Sequence, residues 1–132
     1  MTVKCLAISL NEEQRTKLAI SPYLQPAFGL TVGAVYTVLG ISFVKSGVYG
    51  SISLFDIQDD NERCISVPMC LFSIVDPRPS KYWIARASNE FNLTLWPEQF
   101  YADYFHDRLS EYIPEYVTTF KKTFQLLEEE FL

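Results

Sequence analysis

The only histidine, His106, lies in Tyr104-Phe105-His106-Asp107-Arg108. An imidazole near a carboxylate is a usual ingredient of general base chemistry, which needs a reacting proton within hydrogen-bond reach. Neighbouring residues on a helix point about 100° apart, so Asp107 is badly placed to orient His106. A structural histidine at or near the surface is expected. Asp56, Asp59, Asp60 and Glu62 gather enough carboxylates to suggest a cation loop. A calcium loop needs a central glycine and a distant glutamate; this run has neither, and a hairpin turn is expected. The three cysteines, Cys5, Cys64 and Cys70, form no Cys-x-x-Cys pair and lie far from His106. A zinc site takes about four Cys or His ligands, or three and a water. The cysteines are therefore expected as small apolar residues. Phosphate loops, nucleophile elbows and dinucleotide fingerprints are absent. No catalytic residue, metal or cofactor is assigned.

The carboxylates carry the clearest pattern. Residues 1–86 hold eight Lys/Arg and seven Asp/Glu, whereas residues 87–132 hold three and nine. The net charge of −5 thus resides in the last third, which disfavours nucleic acid as a partner. Glu98, Asp103, Asp107, Glu111 and Glu115 recur among aromatic residues. Helical spacing puts Asp103 and Asp107 on one face, where like charges are mildly unfavourable. An ordinary solvated surface is the plain explanation. The functional one is a docking face for a basic protein, with Asp103, Asp107, Glu111 and Glu115 steering association. Tyr101, Tyr104 and Tyr112 would be its anchors, since tyrosine is a common hot-spot residue.

These residues need a scaffold. The chain has 132 residues, 48% of them hydrophobic and 15% aromatic, which suits one folded domain spanning 1–132. The opening Met1–Ile8 does not read as a signal peptide. No run approaches the ~18 apolar residues of a membrane span. A cytoplasmic protein is expected. Val3–Leu10 alternates as a strand, and Asn11 with Gln14 forms a capping-box pattern for a short helix. Ser21-Pro22 and Gln25-Pro26 then open a loop. Strand signals follow at Ala34–Val44, Val48–Ile57, Arg63–Val67, Leu71–Val75 and Lys81–Ala87, with another possible in Ser88–Trp96. Pro97 is expected to begin one helix and Pro114 another. Val117, Phe120, Phe124, Leu127 and Phe131 make the apolar stripe of the second. Glu128, Glu129 and Glu130 oppose its dipole, so fraying is expected there.

Two segments carry a resemblance. Leu30-Thr31-Val32-Gly33-Ala34-Val35-Tyr36-Thr37-Val38-Leu39 and Leu71-Phe72-Ser73-Ile74-Val75-Asp76 resemble strands of small bacterial and phage barrels of the Src-homology-3 type. The resemblance implies that Gly33 turns the chain and that Tyr36 and Val38 feed a core. The fold expected is α+β: an antiparallel barrel-like sheet of five to six strands over 30–87, with a helical part over 97–132 packed on it. The whole chain, acidic and aromatic at its end, also resembles immunity proteins of bacterial polymorphic-toxin and contact-dependent inhibition systems. That implies a non-catalytic, stoichiometric inhibitor whose partner is a basic toxin domain. Two alternatives stand beside it: a small carboxylate-based enzyme, and a self-assembling phage or plasmid accessory protein. Monomer and homodimer are both left open.

Overall fold

The computed structural model describes residues 1–20, 27–46 and 50–132. The chain is α+β. Its first strand is short, β1 (Thr2–Cys5), with Val3 and Cys5 buried and Lys4 exposed. Helix α1 (Glu12–Lys17) begins with the expected capping box. The Asn11 side chain accepts from the Gln14 N–H at 2.8 Å, and the Gln14 side chain accepts from the Asn11 N–H at 2.9 Å. The proline loop at 21–26 lies outside the described residues, as does the Gly47 turn.

The apolar run from Ala34 to Val44 is two strands, not one: β2 (Val35–Thr37) and β3 (Gly40–Ser46). Backbone pairing changes partner between adjacent residues. The Val38 N–H donates to the Met1 carbonyl at 3.0 Å, and the Leu39 N–H donates to the Asp56 carbonyl at 2.7 Å. The chain thereby passes from one sheet to another. Next come β4 (Gly50–Gln58) and β5 (Cys64–Pro68). A 3₁₀ turn, Met69–Leu71, then leads back to the first sheet as β6 (Phe72–Asp76). Strands β7 (Trp83–Ala87) and β8 (Leu93–Pro97) complete the second sheet.

The strand order is β2-β1-β6 in a three-stranded sheet and β5-β4-β3-β8-β7 in a five-stranded one. All the pairings between strands are antiparallel. The barrel expectation is corrected: two sheets form, and neither closes into a barrel. The two segments that resemble barrel strands supply β2 and β6, the flanks of β1. Gly33 does turn the chain, at φ 87°, and its N–H donates to the Cys5 carbonyl at 2.8 Å.

Register sorts the five-stranded sheet into two faces. Ile41, Phe55 and Val67 are paired in a row, and all three join a core shared with Val3, Cys5 and Phe72 of the other sheet. The next row, Gly40, Asp56 and Ser66, points the opposite way. Over that face lies a second core of Leu39, Phe100, Phe105, Phe120 and Leu127. Trp83 packs against both cores, and its indole N–H donates to the Leu39 carbonyl at 2.9 Å.

The helical third differs from expectation at its start. Pro97 ends β8, Glu98–Tyr101 is a 3₁₀ turn, and α2 is only Phe105–Ser110. Ala102 is extended and Tyr104 left-handed, with φ 58°, so no continuous helix runs from Pro97. The helical spacing of aromatics arises because Phe100 and Phe105 both turn inward and stack at 5.0 Å. Helix α3 (Pro114–Glu129) starts at Pro114 as expected and buries Phe120, Thr123 and Leu127. Its end is tied rather than frayed. Glu130 accepts from the Lys81 N–H at 2.7 Å, and Arg78 lies 4.1 Å over the Phe131 ring.

Gly40 sits where β3 passes β8. A Cβ there would meet Trp96 Cδ1 at 2.5 Å and the Leu95 carbonyl at 2.8 Å. The backbone oxygen cannot move without breaking the pairing. Gly40→Ala is expected to cost about 1–3 kcal/mol in urea unfolding, as overpacking does, and to broaden the Trp96 indole N–H signal.

Candidate functional site

Below the helices lies a buried carboxylate. Asp56 is 3% exposed. Its Oδ2 accepts from the Ser42 hydroxyl and the Trp96 Nε1–H, each at 2.9 Å. Its Oδ1 accepts from the Ser66 hydroxyl. Three donors on three other strands thus satisfy the two oxygens of one buried side chain, as a buried polar group requires. Asp56 lies in β4, within the expected strand Val48–Ile57, and is no part of a cation loop with Asp59, Asp60 and Glu62. The turn itself is Asp59 to Arg63. Asp59 Oδ1 accepts from the Asn61 and Arg63 N–H groups at 2.9 and 2.8 Å. Asp60 accepts from the Thr31 and Tyr36 hydroxyls, both at 2.7 Å. The hairpin carboxylates serve the backbone and the neighbouring sheet. Among the described residues, no group of His, Cys, Asp and Glu is arranged to hold a metal ion.

Trp96 connects this network to the surface. Its ring lies 5.2 Å from Tyr101 and 4.7 Å from His106. Tyr101 carries Arg86 at 4.3 Å, and its hydroxyl donates to the Ile84 carbonyl at 2.7 Å. Tyr101 is therefore committed to the fold. His106 also meets Phe100 and Phe105 edge-on at 5.6 and 5.5 Å. Burial lowers its pKa, against the weaker raising effects of Asp56 and Asp107. The imidazole is neutral at pH 7.

His106 borders two concavities. One, about 520 Å³, lies between the β4–β5 turn and helices α2 and α3, with Cys64, Leu109, Val117 and Phe120 in its lining. Burial pushes the Cys64 thiol up to about 12, so it stays protonated and is a poor nucleophile. The other, about 350 Å³, is more open and is lined by Trp96, Asp103, Tyr104, His106 and Asp107 among others.

The second concavity gathers four of the residues singled out from sequence: Tyr101, Asp103, Tyr104 and Asp107. Asp103 and Asp107 do not share a helix face, because Asp103 precedes α2; both line the recess instead. Glu111, Tyr112 and Glu115 are exposed at the turn from α2 to α3. That turn is a Schellman motif, with Tyr112 N–H donating to the Leu109 carbonyl at 3.0 Å and Ile113 N–H to the Arg108 carbonyl at 3.2 Å. Tyr112 occupies the position glycine usually takes, at φ 57°.

Sequence reasoning missed the Asp56 network, whose partners lie 10, 14 and 40 residues away. One signal was available: an acid at an inward position of the strand pattern Ile52, Leu54, Asp56. No family profile, curated protein or solved structure matches this chain.

His106 gives the fold a defined pH response. Its folded pKa lies below the unfolded value of about 6.5, so the unfolded chain takes up the proton first. Stability is therefore lost as pH falls through about 6.5 and is unaffected by this group above it. Urea midpoints measured from pH 7.5 to 5 are expected to fall in the wild type and to fall less in His106→Phe.

Proposed function

We propose that this protein is a non-catalytic inhibitor that binds another protein, acting in the cytoplasm as the immunity partner of a basic bacterial toxin domain. The observation that carries the reading is the placement of Tyr104 and Tyr112. Both residues are 70% exposed, and both are left-handed, at φ 58° and 57°. A left-handed residue other than glycine costs roughly 1–2 kcal/mol. The Schellman hydrogen bonds account for the backbone at Tyr112, but burial holds neither side chain. Strained residues of this kind cluster where a surface is used, and tyrosine is a preferred anchor in protein interfaces.

The two rings bracket α2. Asp103, Asp107, Glu111 and Glu115 are exposed along the same stretch, with Arg108 the one cation among them. Arg108 is engaged internally, donating to the Tyr116 hydroxyl. The surface therefore presents negative charge around two aromatic anchors, which suits a basic partner. Such charge acts mainly by speeding association and rejecting wrong partners.

Two measurements test this, with the C-terminal domain of the product of the neighbouring open reading frame as the partner assayed. Asp107→Lys combined with Glu111→Lys is expected to slow association about tenfold or more at low salt and to flatten its salt dependence. Unchanged kinetics would overturn the assignment of this face. Tyr112→Gly is expected to leave folding stability equal or higher, because glycine suits the left-handed position, while weakening the complex. A variant equally stable and equally tight would remove Tyr112 from the interface.

A further inference from the structure

We infer that the recess between Trp96 and Tyr104 is a receptor for a single guanidinium group, an arginine side chain of the bound partner. This rests on the inhibitory-binder reading and specifies the group it recognises.

The recess has a volume of about 350 Å³ and an aromatic interior. Phe100 and Phe105 are buried and form its base; Asp103, Tyr104 and Asp107 are exposed and form its rim. Among the described residues, neither rim carboxylate has an ion-pair partner. An aromatic wall under two free carboxylates favours a cation that is planar and weakly hydrated. Guanidinium stacks on rings and takes carboxylates in a fork; a compact ammonium does so less well. His106, neutral at pH 7, adds no competing charge.

The chain's own arginines show the same chemistry at other rings. Arg86 lies 4.3 Å from Tyr101, and Arg78 lies 4.1 Å from Phe131. Tyr104 is different. Its nearest guanidinium, Arg108, is 6.0 Å away and is directed to the Tyr116 hydroxyl. That is the outer limit of an effective cation–π contact. Tyr104, 70% exposed, is thus engaged by the chain's own guanidinium only at long range, and it lines the same recess as the two carboxylates.

The test is an NMR titration of the whole protein with N-acetyl-arginine amide, followed at the Trp96 indole N–H and the His106 ring. A saturable shift at both groups is expected. N-acetyl-lysine amide should bind more weakly. Tyr104→Gly, which keeps the left-handed backbone comfortable, should weaken the arginine response about tenfold. Asp103→Asn with Asp107→Asn, which keeps the shape, should do the same. A response that does not saturate, that lysine matches, or that survives both variants overturns the proposal.

A second arm separates this from the reading it rests on. If the toxin domain is captured equally by wild type and Tyr104→Gly, the recess proposal fails and the binder stands. If arginine amide saturates the recess but the toxin domain is not captured, the immunity reading fails and the guanidinium receptor stands.

Discussion

A single carboxylate, buried in the middle of a sheet, constrains much of this molecule. Asp56 is stable there only while Ser42, Ser66 and Trp96 all donate to it. A buried polar group left without partners is among the most destabilising features a core can have. Those donors lie on β3, β5 and β8, so the requirement fixes the register of β3 and β5 against β4 and the placement of β8 beyond β3. It also dictates Gly40, because only a residue without a side chain lets Trp96 reach the carboxylate. The orientation of Trp96 then sets where Tyr101 and His106 lie, and they set the recess. A surface that would meet a partner is thus positioned by a polar requirement in the interior.

The two cores share this dependence. The buried core between the sheets is mainly aliphatic, with Phe55 and Phe72 meeting edge to face. The core beneath the helices is aromatic, and Phe100 stacks on both Phe105 and Phe120. Flat rings stacked in series let a six-residue helix hold its place, which its own backbone bonds could not do. The short helix can consequently carry strained, exposed residues at both ends.

Legibility in the sequence followed the range of each interaction. The capping box at Asn11 and the proline start and apolar stripe of α3 were readable because their partners lie within one or two turns. Strand positions were mostly readable from β-branched runs and turn residues. The division at Val38 and Leu39 was not, because both are buried and apolar and only their backbone partners differ. The Pro97 segment misled because inward aromatics imitate a helix when a turn brings them together. Of the recess, the residue types were legible: tyrosines and acids at short spacing. Its geometry was not, since Trp96 arrives from a strand and Tyr104 reverses its backbone. The Asp56 network, spanning tens of residues, left only an acid out of pattern.

The position of β1 has a consequence for how the chain is made. It is the central strand of its sheet, yet it is synthesised before both of its neighbours. On the ribosome it must wait for β2 and then for β6, with both edges open meanwhile. Unpaired edges invite association with other nascent chains. Lys4, in the middle of that strand and facing outward, puts a positive charge on the exposed segment through this interval. Birth order, as well as final stability, gives a reason for a lysine between the buried Val3 and Cys5.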